Sequence, residues 1–157
     1  MKKQVSKWVT WDEATRSVTA DRLGISNEPD DLQLARMQNI ATKIFDKVRE
    51  WAGEAINVNS FFRSAGLNRA IGGSYTSQHC SGEAIDLDKK ANASHTNADL
   101  FGYIADNLEF DQLIWEFGDD EEPDWVHVSL KHSGKNRRQI LRSRRIKNKT
   151  IYEQIVR

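Results

Sequence analysis

The apolar positions of this chain change period as it runs, and each change marks an element. Met37, Ile40, Ala41, Ile44, Phe45, Val48 and Trp51 recur at three- and four-residue steps, the stripe that one face of an amphipathic helix buries. Asn27-Glu28-Pro29-Asp30-Asp31 opens that helix, with Pro29 near the first turn and acids at the positive end of the dipole, and Gly53 closes it. A shorter helix comes first. Thr10-Trp11-Asp12-Glu13 has the spacing of a capping box, and the helix runs to about Leu23, where Gly24 supplies a left-handed end. From Ala55 to Phe62 the period drops to two. Ile56 and Val58 alternate with Asn57 and Asn59, which predicts a strand with one buried face and Arg63 at its end.

Leu67 to Ile71 makes a short helical turn, broken by Gly72-Gly73-Ser74. Glu83 to Asp88 predicts a strand with Ala84, Asp86 and Asp88 on one side and Ile85 and Leu87 on the other. Ala98 to Leu108 is the next helix. Gln112 to Phe117 and Trp125 to Leu130 are strands joined by the acidic loop Gly118 to Pro123, and Gln139 to Arg142 adds another. The remainder, to Arg157, stays open between a strand and a short helix. Helices fall mostly first and strands mostly later, with no repeat or linker, so the pattern predicts one α+β domain. It spans residues 1–157, with a core over about 6–142 and a basic tail over about 143–157.

The length of 157 residues is enough to bury a core without disulfides, and Cys80 is the only cysteine. Formal net charge is zero but uneven: every charged residue from Asp106 to Asp124 is acidic, and from Lys131 to Arg157 only Glu153 is. Two readings of the basic stretch remain: contact with phosphates, or pairing with the acidic segment of the same chain. No aromatic platform accompanies the basic residues, so nucleic acid is not an expected partner. Nothing approaches the ~20 apolar residues of a membrane span. Met1-Lys2-Lys3 is followed by Gln4, Ser6 and Lys7 rather than the apolar run of a signal peptide. The expectation is a protein made in the cytoplasm.

The chemistry concentrates in Ser77-Gln78-His79-Cys80-Ser81-Gly82-Glu83-Ala84-Ile85-Asp86 and in Asp124-Trp125-Val126-His127-Val128-Ser129. Two imidazoles and one carboxylate form the ligand set of a catalytic zinc site that leaves a position for water. His79, Asp86 and His127 would supply it, with Gly82 allowing the turn that brings the strand carrying Asp86 back past His79. Asp124, at the entrance to the strand of His127, is placed to act as general base, and Arg63 to stabilise an oxyanion. Spacing alone leaves metal binding and ordinary structural histidines both open.

Ser77-x-His79-x-x-Gly82-x-Ala84-x-Asp86, with Phe62-Arg63-Ser64, Leu67-Asn68-Arg69-Ala70-Ile71-Gly72-Gly73-Ser74 and Trp125-Val126-His127-Val128-Ser129, resembles the M15 family of zinc peptidases. That family includes D-alanyl-D-alanine carboxypeptidases, vancomycin-resistance dipeptidases and phage L-alanyl-D-glutamate endolysins. The likeness runs from about Ser6 to about Arg142 and is greatest to the small phage-borne members. It implies a Hedgehog/DD-peptidase-like fold, a small antiparallel sheet carrying the zinc site with helices packed on it. It further implies one zinc ion on His79, Asp86 and His127, Asp124 as catalytic acid, Arg63 at the substrate carbonyl and Ser77 near the substrate. Ser77 is equally read as a turn residue.

Other residues compete for these roles. Cys80 is expected to be a buried small hydrophobe. Glu83 is a strand-start residue, Asp88 a candidate to orient a ligand histidine, and Glu116 and Glu122 the substitutes for Asp124. His95 and His132 sit in polar loops without partners in sequence. The function implied is hydrolysis of peptidoglycan stem peptides, of either the D-Ala-D-Ala carboxypeptidase or the L-Ala-D-Glu endopeptidase type. The setting implied is a phage endolysin or wall-processing enzyme released from the cytoplasm, or a virion component. The alternative is a wall-binding or virion structural domain that keeps the zinc fold without turnover, as Hedgehog domains do.

Overall fold

Thr10 opens the first helix as a capping box: its hydroxyl accepts the Glu13 N–H while the Glu13 carboxylate accepts the Thr10 N–H. The computed structural model describes residues 3–157; Met1 and Lys2, the start of the basic opening read above, lie outside them. The helix expected as far as Leu23 is two helices, α1 (Trp11–Thr15) and α2 (Val18–Leu23). Ser17 is the reason. Its hydroxyl accepts the Ala20 N–H as a second cap, with Arg16 extended between the helices. Gly24 ends α2 at φ 65°.

Asp30, with Gln33 completing a capping box, starts α3 (Asp31–Ile40), and Pro29 stands just ahead of the cap. The chain continues without a break through a π-helical turn, Ala41–Phe45, into α4 (Asp46–Ala52), and Gly53 ends it at φ 67°. The predicted stripe from Met37 to Val48 is buried. Trp51 leaves it: 41% exposed, it stacks on Tyr103 with ring centroids 4.4 Å apart.

Five strands fall where they were expected and a sixth follows them: β1 (Ile56–Ser60), β2 (Ala84–Lys89), β3 (Gln112–Glu116), β4 (Trp125–Ser129), β5 (Gln139–Ile146) and β6 (Lys149–Gln154). Between them lie α5 (Ala65–Ala70), capped by Ser64, and α6 (Asn97–Asn107), capped by Thr96. They form one sheet, ordered β1-β2-β4-β3-β5-β6, antiparallel except where β5 runs parallel to β3. The segment left open in sequence is therefore the second half of a β-hairpin, and β5 runs four residues beyond its predicted end.

The sheet has two unlike faces, because side chains alternate along each strand. One carries Ile85, Leu87, Leu113, Val126 and Val128, all buried in the core shared with α6 and the long helix. The other carries Asp86, His127, Glu116 and their neighbours along an open cleft. The acidic and basic halves of the chain meet in ion pairs. Arg137 binds Asp111 at 2.7 Å, Arg142 binds Asp120 at 2.6 Å and Arg157 binds Asp106 at 3.0 Å. Pairing within the chain accounts for these cations.

Candidate functional site

Asp86 on β2 and His127 on β4 are partners across an antiparallel pair, and Ser60 at the end of β1 faces Asp86 from the other side. His79 arrives from the loop before β2. Gly82 N–H returns to the His79 carbonyl, Glu83 N–H to Gln78, and Cys80 N–H to Ser77, which folds that loop into successive turns. Gly82 is at φ +81°, and a Cβ there would stand 2.6 Å from the Gln33 carbonyl oxygen, so the loop packs directly on α3. Gln33 holds it there by donating to the Cys80 carbonyl at 3.1 Å.

These supports converge three donor atoms. Asp86 Oδ1 lies 3.3 Å from His79 Nε2 and 3.0 Å from His127 Nδ1, and the donor atoms of all three residues lie within 4.8 Å of one another. His79 is buried, and its Nδ1 is 2.8 Å from the Phe61 carbonyl oxygen. A carbonyl only accepts, so Nδ1 carries the proton and Nε2 offers a lone pair to the cluster. Burial would raise the Asp86 carboxyl, but the two imidazoles outweigh it and hold the group well below the usual carboxylate range. Two imidazoles and an ionised carboxylate around one point fit a zinc ion.

The cluster lies in a cleft of about 850 Å³. Arg63 and Ser77 line it. Arg63 is held by Asn68 Oδ1 at 3.2 Å and Ser60 Oγ at 3.4 Å, and Ser77 Oγ accepts the His79 N–H at 3.3 Å, a turn contact that also faces the cleft. Asp124 does not line this cleft. It is exposed, beside a separate depression formed by Phe117, Gly118 and Arg142 to Ile146. It is the bend residue immediately before β4, three positions ahead of His127.

Glu116 does line the cleft, and it is buried. Ile114 pairs with His127, so Glu116, two residues on, shares that face. Burial pushes its carboxyl up, against the opposing bond from Ser143 Oγ. Glu122 instead accepts the Asn97 N–H and pairs with Lys89. Tyr152, Leu141 and Thr150, from the β5–β6 hairpin, form the far wall.

The remaining expectations separate cleanly. Asp88 touches no histidine; it accepts from Asn97 at 2.8 Å and from Asn59 at 3.4 Å. Asn97, missed in sequence, bridges Asp88, the Lys89 N–H and the Pro123 and Asp124 carbonyls. Cys80 is half-buried rather than buried, and burial pushes its thiol up despite the pull of Arg63. His95 has a partner after all: its Nδ1 lies 3.1 Å from Glu54 Oε2, and its ring lies 4.5 Å from that of Trp51. Glu83 accepts the Ser81 hydroxyl and the N–H of exposed His132, away from the cluster.

An α+β sheet with a His-Asp-His cluster at the floor of an open cleft is a candidate metal centre. The chain matches the Peptidase M15 family over residues 7–129 and belongs to that family, which makes the centre that of a metallopeptidase. No curated protein matches it. The family segment ends with β4, so β5 and β6 lie beyond it.

Proposed function

We propose that this protein is a zinc-dependent peptidase that hydrolyses peptide bonds in the stem peptides of peptidoglycan, with Glu116 as its general base. The observation that carries the reading is the placement of a buried carboxylate, Glu116, in the same cleft as the converging donors of His79, Asp86 and His127. When bound by those three residues, zinc would supply Lewis acidity, polarising a carbonyl and lowering the pKa of water. Glu116 takes one proton from the attacking water as the oxygen bonds to the carbonyl carbon. It then gives that proton to the amine as the carbon–nitrogen bond breaks. A carboxyl raised by burial suits both halves of that exchange.

Arg63, fixed by Asn68 and Ser60, presents positive charge at the cleft wall and stabilises the negative oxygen of the tetrahedral stage. Ser77 orients the His79 loop. Peptidoglycan as the substrate rests on the likeness of the His79–Asp86 and Trp125–Ser129 motifs to wall-cleaving peptidases, and so do a phage or wall-processing setting and action outside the cytoplasm. Digestion of purified peptidoglycan, with mass analysis of the fragments, tests the reading. New amino termini or released alanine should accompany wild-type protein and disappear with Glu116→Gln. Intact peptidoglycan after digestion with zinc-loaded wild type would overturn it.

A further inference from the structure

The β5–β6 hairpin follows the matched family segment, yet it supplies one whole wall of the cleft. Strand register places it. Trp125, Glu116, Ser143 and Tyr152 form one cross-strand row, with Ser143 between Glu116 and Tyr152. Adjacent strands lie ~4.8 Å apart, so the Tyr152 backbone stands about 10 Å from that of Glu116. Arg63 lies in the opposite direction, beyond the end of β1, the other edge strand. Among the described residues the Tyr152 hydroxyl has no hydrogen-bond partner, and its side chain is half-exposed to the cleft. Burial, then the charges of Glu116 and Asp86, raise its pKa, so it faces the cleft as a protonated donor.

We propose that the β5–β6 hairpin binds the part of the substrate C-terminal to the cleaved bond, with the Tyr152 hydroxyl as its hydrogen-bonding contact. The inference rests on the reading of Glu116 as the group that protonates the leaving amine. That amine must lie within reach of Glu116, and the chain attached to it runs away from Arg63, over the Ser143–Tyr152 row. An extended peptide advances ~3.3 Å per residue, so the second and third residues beyond the cleaved bond come over Tyr152. Leu141 and Thr150 flank them as the apolar and polar floor.

Two synthetic substrates test this. Both carry the bond that wild-type digestion of peptidoglycan identifies, one with a single residue after it and one with four. Tyr152→Phe keeps the ring and removes the donor. It should raise KM for the longer peptide about fivefold and leave the shorter one unchanged, the loss expected of one hydrogen bond. Calorimetric binding of the four-residue leaving fragment should weaken by the same factor, a readout independent of turnover. Equal effects on both peptides, or none on either, overturn the proposal while leaving the peptidase reading intact. Wild type that cleaves the two peptides with the same KM overturns the proposal as well, whereas wild type that leaves peptidoglycan intact overturns the peptidase reading on which it rests.

Discussion

The backbone N–H of Asp124 donates to the carbonyl of Glu116 at 2.9 Å, and yet the two carboxylates enter different cavities. The β3–β4 turn sends them apart. Phe117 at φ 52° and Gly118 at φ 67° are both left-handed there, and a Cβ at Gly118 would overlap the Glu122 carbonyl. The turn thereby separates two nearby acids, Glu116 lining the cleft of the His-Asp-His cluster and Asp124 the depression beside it.

Glu116→Gln should lower kcat by about 10²–10⁴-fold, the usual contribution of a general base. Zinc content should stay at the wild-type level, since no ligand is touched. Asp124→Asn should leave turnover close to wild type. Steady-state kinetics of the pair, with metal analysis of each, checks the assignment; the reverse ranking would return the role to Asp124.

Removal of zinc by a chelator should abolish peptidase activity, and one equivalent of zinc should restore it. His79→Ala and Asp86→Ala should purify without the ion and fail to recover. Asp88→Asn should keep its metal, because Asp88 bonds Asn97 and Asn59 rather than a cluster histidine. Elemental analysis of the purified variants separates these outcomes.

Gly82→Ala should destabilise the fold by about 2 kcal/mol or more, from the left-handed φ and the collision with the Gln33 backbone together. Chemical denaturation measures it. Because Gly82 sits between His79 and Asp86, zinc affinity should fall alongside stability.

Asp111 is fully buried at the base of the hairpin wall and accepts from Arg137 Nε, Arg137 Nη2 and Gln78 Nε2. Burial would raise its carboxyl, but those donors outweigh it and hold the group at about 2. A carboxyl lowered by folding contributes stability that is full above its unfolded value, ~3.9, and lost as pH falls through the folded one. Denaturation midpoints should therefore fall more steeply from about pH 4 to about pH 2 in wild type than in Asp111→Asn. Identical slopes would remove Asp111 from the acid response.

Much of this was legible in sequence because it is local. The caps at Thr10 and Gly24, the stripe from Met37 to Val48 and the alternation around Ile56 depend on residues within a few positions of one another. The cluster was legible because a tight turn and two strands bring His79, Asp86 and His127 together with few alternatives. The place of Glu116 in the cleft was harder, because its facing depends on the register of β3 against β4. Asn97 gave no signal at all, since its partners at Asp88, Pro123 and Asp124 are assembled only by the fold. The β5–β6 hairpin was obscured by its charge: Arg144, Arg145, Lys147 and Lys149 read as a solvated tail, while Leu141, Thr150 and Tyr152 line the cleft and Ser143 is buried between them and Glu116.

The parallel pairing of β5 on β3 also imposes an order on synthesis. Chains fold from the N-terminal side as they are made, and all three residues of the cluster are translated before the hairpin is. Until β5 docks, β3 is an open edge, the Ser143 hydroxyl has not reached Glu116, and that carboxylate stands in water. The three donor residues are thus all present in a nascent chain before the strand that covers β3 and reaches Glu116 has been made.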